Sequence, residues 1–422
     1  MARLVHVIGA GLAGLAAAVQ LQRRGARVVL HEAADQAGGR CRSYYDRVLG
    51  VNLDSGNHFV LSGHHATLGY LRAIGASDEL VGPAQPEFAF MDLATRSRWT
   101  LRLSRGRLPW WIFDGGARVP GTRAVDYLSL LPLLFAKPGR TMAQTMRSDG
   151  LLWERLVRPF FRAVLNVEPR EGSAELAGAV AREALAGGGD ACRPLVAKNG
   201  LGSAFVDPAL RLLQHGGAQI RLGSRLTAIS FDDTAGRASA LDFDGTPVPL
   251  DSQDAVVLAV PPDVARTLVP GIQTPQRFRA VVNAHFAVEP PPGLALLTGL
   301  VNSTAEWLFG FDGRLSVTIN GADRLLDMPR EELARSIWAD VAQVTSLPPE
   351  PMPAWQIVAE RHATFAAVPQ EEMRRPATRT RWNNLMLAGD WVATGLPATI
   401  EGAIRSGQKA ADTLFTVSLE HR

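Results

Sequence analysis

The chain opens on a short run of apolar and β-branched residues, Leu4-Val5-His6-Val7-Ile8, that stops at Gly9. An unbroken apolar run of that length, bounded by glycine, predicts a buried strand. From Leu12 to Arg24, apolar residues recur at Leu12, Leu15, Ala16, Val19 and Leu21, the spacing of one helical face, and Gly25 stands where a left-handed C-terminal cap belongs. Arg27 to His31 is a second strand-like run. Together they predict a β-α-β unit of about thirty residues, the minimum parallel crossover.

The alternation is then lost from about residue 60 to residue 210. Helical spacing marks 151–167, 173–186 and 203–215, joined by Trp- and Pro-rich stretches such as Leu108-Pro109-Trp110-Trp111. Strand-like runs return at 219–222, 225–231 and 238–243, and at Ala255 to Val260, which Pro261-Pro262 stops. A second irregular block, about 270 to 380, holds one strand-like run, Leu315 to Ile319, and a helical pattern over 329–344. Leu385 to Ala388 predicts a last buried strand and Ala398 to Phe415 a closing helix. This order predicts an α/β fold: a Rossmann-like domain assembled from three discontinuous segments (1–60, 200–268 and 383–422), with an α+β domain inserted as 61–199 and 269–382.

Composition narrows the partners. With 46% apolar and 20% charged residues the chain is globular, and 44 Lys and Arg against 41 Asp and Glu leave a formal charge of +3 with no basic stripe. Nucleic-acid binding is therefore not expected. Two cysteines, Cys41 and Cys192, outside any CxxC pair, point to a reducing compartment, the cytoplasm, and away from structural zinc; no metal site is expected. The apolar N-terminus resembles a leader, but its glycines sit at fixed offsets and only Arg3 precedes them, so it reads as folded structure. No uncharged apolar stretch reaches the length of a membrane span. The nearest, Tyr127 to Ala136, is followed by Lys137 and Arg140 and could rest on an anionic membrane surface or be buried.

The chemistry begins at Gly9-Ala10-Gly11-Leu12-Ala13-Gly14, a G-x-G-x-x-G that follows a predicted strand and opens a predicted helix. Gly9 permits the tight turn, Gly11 lets a pyrophosphate approach the backbone, and Gly14 lets helix pack on strand. The helix N-terminus then offers its N–H groups and positive dipole end to phosphate. Glu32, at the end of the second strand, can accept from both ribose hydroxyls of an adenosine and disfavours a 2′-phosphate. Downstream, Gly38-Gly39-Arg40-Cys41-Arg42 brings backbone close to the ligand, with two guanidinium groups suited to phosphate. Cys41 reads as a small packing residue.

These residues resemble the flavin-dependent amine oxidase and phytoene desaturase superfamily. The resemblance implies FAD rather than NAD, and it extends to Gly389-Asp390-Trp391 and Thr399-Ile400-Glu401-Gly402-Ala403 at the far end, where the family places the ribityl chain and the helix under the flavin ring. The cofactor contacts so expected are Gly9, Gly11, Leu12, Ala13, Gly14, Glu32, Gly38, Gly39, Arg40, Arg42, Leu226, Gly389, Asp390, Thr399, Ile400 and Ala403. Within the superfamily, Asp54-Ser55-Gly56-Asn57-His58, Ser62-Gly63-His64-His65, Phe205-Val206-Asp207-Pro208-Ala209 and Thr394 to Gly407 resemble a squalene-associated branch of bacterial hopanoid synthesis.

That branch implies replacement of the allylic hydroxyl of hydroxysqualene by hydrogen, which needs a proton donor, a site that tolerates an allylic cation, and a hydride. His58, ahead of His64 and His65, is the expected proton donor. Trp391 is the first choice for a catalytic aromatic beside the flavin, ahead of Phe59, Trp110, Trp111, Phe160 and Phe161. A C30 isoprenoid substrate requires a long apolar pocket and suggests peripheral contact with the inner face of the cytoplasmic membrane. No second G-x-G-x-x-G follows a strand, so an external electron donor is expected. Three other readings stay open: a desaturase or amine oxidase acting on another polyene or amine, a flavin-free carrier of the same fold, and an NAD-dependent dehydrogenase, which Gly38-Gly39-Arg40 disfavours.

Overall fold

A computed structural model describes residues 3–420. Five short strands pair in parallel in the order Gln219–Arg221, Arg27–His31, Leu4–Ile8, Ala255–Leu258, Leu385–Leu387. The inner strands are mainly apolar because both faces of the sheet are covered, though His6 and His31 are buried within them. On one face, helix Leu12–Arg23 packs against helix Ile400–Glu420 at Gly407, where a Cβ would lie 2.0 Å from the carbonyl oxygen of Ala13. On the other lies a three-stranded antiparallel sheet, Leu226–Asp232, Arg237–Phe243 and Thr246–Pro249. The His31 ring stacks on Phe243 at 4.2 Å to join the two layers.

The neighbours Leu4–Ile8 and Ala255–Leu258 are where the strand order reverses. In open α/β sheets ligands bind beyond the carboxyl ends of the strands at that crevice. Gly9 sits there with φ +102, and a Cβ on it would meet the Ala259 carbonyl oxygen at 2.4 Å.

The second large element is a seven-stranded sheet ordered Trp355–Phe365, Phe278–Phe286, Arg314–Asn320, Trp307–Phe311, Leu297–Val301, Glu87–Asp92, Ser97–Arg102. It is antiparallel except where Leu297–Val301 runs parallel to Glu87–Asp92. Helix Arg330–Thr345 buries Leu333, Ile337, Trp338 and Val341 against it.

This sheet is the main correction to the sequence reading, which finds only the strand at 315–319. Its strands do not show the expected alternation. Phe278–Phe286 buries Asn283 and His285 among apolar neighbours, Leu297–Val301 has Gly299 at its centre, and Trp355–Phe365 is largely polar toward its end. Two expected helices also open or continue with a π-helical turn, at Trp153–Val157 and Gly202–Val206. In each, a proline soon follows (Pro159 and Pro208) and supplies no N–H to the preceding turn. Among the described residues no helix is long and apolar enough to cross a membrane.

Candidate functional site

The glycine-rich turn has the geometry its spacing predicts. A Cβ on Gly14 would lie 1.8 Å from the Gly9 carbonyl oxygen, so Gly14 is required by the fold itself. Gly11 differs: its φ is −73, and a Cβ there would meet nothing within 4 Å. The fold therefore tolerates a side chain at Gly11, and the open space beside it is a cradle for an outside group. No side chain caps the helix that starts at Leu12, so the N–H groups of Leu12, Ala13 and Gly14 face that space.

Two more segments close around the turn. Gly38 pairs with Gly11 as an isolated bridge, and its N–H donates to the Ala10 carbonyl at 2.8 Å. Gly38 and Gly39 both have positive φ, +112 and +55. The Glu32 carboxylate accepts from Ala10 N–H at 2.8 Å and from Ala34 N–H at 3.0 Å, which fixes it at the rim of the cradle with acceptor capacity to spare. The turn before Leu226 runs beside it: Gly223 and Ser224 N–H donate to the carbonyls of Ala34 and Glu32. Leu226 itself is buried at a register shift in its strand.

From the other end of the chain comes Asp390. Arg40 Nη2 donates to its Oδ1 at 2.7 Å, while Nη1 donates to the Ala363 carbonyl at 2.6 Å. One guanidinium thus joins the glycine-rich loop, the C-terminal segment and the end of a strand of the seven-stranded sheet. The carboxylate raises the Arg40 pKa further, so the guanidinium stays charged. Gly389 is tied by its N–H to Ser406 Oγ at 3.0 Å, and Thr399 Oγ1 caps helix Ile400–Glu420 by accepting from Gly402 N–H at 3.0 Å. Ile400 and Ala403 lie half-buried on the first turn of that helix. Arg42 has an exposed side chain, and its carbonyl holds Ser55 N–H at 3.0 Å. Cys41 is buried, and burial pushes its thiol up to about 12, so it is a packing residue.

His58 reaches the same neighbourhood because Ser55 is stitched to the carbonyls of Arg40 and Arg42. Its ring is open to solvent on one side, while Nε2 lies 3.2 Å from where a Cβ on Gly56 would stand. Desolvation, and then the charge of Arg40, lower its pKa to about 4. His58 stays a candidate proton-transfer group, beside Arg40. His64 is likewise held down, chiefly by burial, and its Nδ1 accepts from Leu61 N–H at 3.2 Å.

Trp391 is placed otherwise than expected. Its side chain is 2% exposed, its indole N–H donates to the Val260 carbonyl at 2.9 Å, and it fills the space where Gly389 (φ +147) would carry a Cβ. It is a core anchor of the loop and not an aromatic facing the cleft. Trp110 is on the surface, Trp111 packs edge-on against Tyr127, and Phe161 is core. Phe59, next to His58 and 5.6 Å from the Trp307 ring, is the aromatic that stays beside the site.

Arg375 is the residue that sequence reasoning missed. Its side chain is fully buried and donates to Glu372 at 2.7 Å, to the carbonyls of Leu396, Asp390 and Val392, and to Thr394 Oγ1. It shapes the loop from Asp390 to Leu396 from within. Arg374, Arg379 and Arg381 stand nearby in sequence, and nothing in the pattern singles out Arg375. A second buried set, Asn57, Asn283 and Thr318, joins the His58 segment to the seven-stranded sheet. Among the described residues no cluster of His, Cys, Asp or Glu suited to a metal ion occurs.

Comparison with known proteins agrees with this geometry. The family model of the flavin containing amine oxidoreductases matches residues 12–414. A hydroxysqualene dehydroxylase of Rhodopseudomonas palustris is 52% identical over 98% of this chain and 99% of its own length. One of Zymomonas mobilis is 46% identical over 98% of this chain and 100% of its own. A solved structure of putrescine oxidase superposes with a TM-score of 0.72 at 17% identity over 99% of both chains, and likeness at that identity speaks for the fold alone. An FAD cofactor fits the open cradle at Gly11, the uncapped helix and the Arg40–Asp390 clamp. The chain belongs to the flavin containing amine oxidoreductase family and, within it, groups with the hydroxysqualene dehydroxylases.

Proposed function

We propose that this chain is an FAD-dependent oxidoreductase that reductively removes the hydroxyl of hydroxysqualene to give squalene, in hopanoid synthesis. The observation that carries this reading is end-to-end similarity, 46% to 52% identity over 98% of the chain, to three hydroxysqualene dehydroxylases. Residues 1–60, 200–268 and 383–422 would form the FAD part and 61–199 with 269–382 the substrate part. The distribution of strands supports this, since all five parallel strands fall in the first set and all seven of the large sheet in the second. Residues 1, 2, 421 and 422 lie outside the described residues.

In this reading Gly9 to Gly14 hold the pyrophosphate, Glu32 the ribose, and Gly38, Gly39, Arg40 and Arg42 the phosphate flank, with Leu226 near the adenosine. Gly389, Asp390, Thr399, Ile400 and Ala403 serve the ribityl and ring end. The flavin, when bound and reduced, supplies a hydride. The chain's own task is to loosen the allylic C–O bond: the hydroxyl takes one proton, drawn from solvent through His58, and leaves as water while the hydride takes its place on carbon. His58 also orients that hydroxyl by hydrogen bonding, and Phe59 presents a ring face toward developing positive charge. Electrons come from an external donor. The substrate dissolves in bilayers, so the enzyme works on the cytoplasmic face of a membrane, in peripheral contact with it.

Anaerobic incubation of photoreduced holoprotein with hydroxysqualene tests the reading. Squalene should accumulate in step with the return of the oxidised flavin spectrum. Unchanged hydroxysqualene beside a persistently reduced flavin would refute it. Oxidation of a polyene or an amine in its place would move the chain to the desaturase or amine oxidase alternative.

A further inference from the structure

Among the described residues thirteen large apolar side chains are exposed, and eight of them lie between Leu108 and Leu151. Scattered exposed hydrophobics need no explanation, but a concentration in about a tenth of the chain does. The core of this surface is a 3₁₀ segment, Ala124–Leu130, that runs directly into the helical turn Leu131–Leu134. Residues three apart eclipse in a 3₁₀ helix, so Val125, Leu128 and Leu131 form one line, and Phe135 continues it four residues on. Their exposures run from 47% at Leu131 to 81% at Phe135.

The opposite side of the same segment is apolar as well. Tyr127 and Leu133 are buried, Tyr127 Oη accepts from Val119 N–H at 3.0 Å, and Arg182 donates to the Leu134 carbonyl at 3.0 Å. The segment is thus anchored from within and needs no apolar outer face to stay folded. A second 3₁₀ turn, Trp110–Phe113, lies alongside, with Trp111 edge-on to Tyr127 at 5.1 Å. It exposes Trp110 and Phe113, whose rings are 6.2 Å apart.

Charge identifies the occupant. Between Arg105 and Leu151 there are seven Lys and Arg against three Asp and Glu, a surplus of four, while the whole chain carries only +3. Asp126 and Asp149 are paired locally with Arg123 and Arg147, whereas Arg107, Lys137 and Arg140 have no carboxylate within 4.0 Å among the described residues. An apolar face carrying tryptophan and rimmed by unpaired cations matches the interface of an anionic bilayer, with apolar side chains among the acyl chains and cations at the headgroups. We infer that the face formed by Trp110, Phe113, Val125, Leu128, Leu131 and Phe135, with Lys137 and Arg140 at its rim, is the surface by which this protein docks on an anionic membrane leaflet. This deepens the membrane-contact part of the proposed function and rests on it.

Flotation of the flavin-loaded full chain with phosphatidylglycerol/phosphatidylcholine vesicles tests the assignment. The unmodified protein should float with them and remain soluble beside phosphatidylcholine alone. Leu128→Glu with Phe135→Glu, and separately Lys137→Glu with Arg140→Glu, should each weaken binding roughly tenfold or more. Leu222→Glu, an exposed apolar residue far along the chain from this face, should bind as the parent does. The Leu128→Glu/Phe135→Glu variant should keep its flavin, its Tm and its turnover of detergent-dispersed hydroxysqualene. Failure of the parent to turn over that substrate would strike the proposed reaction and leave the vesicle result standing. Parent protein that never floats, or face variants that float undiminished, would overturn the docking surface. So would a parent dimer that Phe135→Glu converts to monomer without any vesicle binding, which would assign the face to a second copy of the chain.

Discussion

The two ends of the site are built in different ways. At the pyrophosphate end the work is done by backbone: Gly9, Gly11, Gly14, Gly38 and Gly39, a helix N-terminus, and one carboxylate held by amide groups. At the end proposed for the flavin ring it is done by side chains, the buried Arg375 inside the Asp390–Leu396 loop and the half-exposed Arg40 that joins Asp390 to Ala363. Backbone sites are constrained locally, within a turn. Side-chain sites also draw on distant partners, as Arg40 does on Asp390 and Ala363, and damage to them spreads differently.

The sharpest way to break this contrast is to compare two glycines three residues apart. Gly14→Val drives a side chain into the Gly9 carbonyl and should cost about 3 kcal/mol or more, giving little soluble protein. Gly11→Val meets open space, so it should fold with a Tm close to that of the parent yet purify with flavin content reduced at least about tenfold, because only the cofactor is displaced. Thermal melts and the flavin-to-protein absorbance ratio read both effects.

At the ring end, Arg375→Met should cost about 3–5 kcal/mol, because it strands the buried Glu372 carboxylate and frees the loop carbonyls. Arg375→Lys should recover little of it, since a single ammonium cannot span that set of acceptors. Flavin content should fall with Tm in both variants, in contrast to Gly11→Val, where the two separate.

Acid should weaken both sheets. Burial presses His31 in the parallel sheet and His285 in the large sheet down to about 3, so each stays neutral in the fold while the unfolded chain protonates it near 6.5. A depressed histidine pKa means that stability is full above about pH 6.5 and is lost as pH falls toward 3, by at most about 1.4 kcal/mol per pH unit per group. Melts from pH 7.5 to pH 4.5 should show that slope, and His285→Asn should flatten it while lowering Tm at neutral pH.

The smallest effect on folding is expected at Asp390→Asn. Arg40 is 48% exposed, and screening holds the ion pair to about 1 kcal/mol or less. Tm should barely move, while flavin titration of the apoprotein should show affinity weakened several-fold.

The parallel sheet and the glycine turn were legible in the sequence because each is announced within about thirty residues: unbroken apolar strands, a glycine at each forced turn, an acid after the second strand. Glu32 and Gly38-Gly39-Arg40 were readable for the same reason. The large sheet was not, because its strands carry Asn283, His285 and Gly299 where apolar residues are expected, and because they pair over long separations. Trp391 was misjudged because adjacency to Gly389-Asp390 in sequence says nothing of which way a ring turns; here it turns into the core. His58 was readable as a candidate proton donor, but nothing local in the sequence shows that Arg40 would stand near it.

The two chain ends must close on one cofactor, and the most direct measurement is a holoprotein structure that locates the FAD. The pyrophosphate should lie against the N–H groups that follow Gly11, with Glu32 on the ribose and Asp390, still paired with Arg40, on the side of the ribityl chain. A dinucleotide lying away from either Gly11 or Asp390 would contradict it.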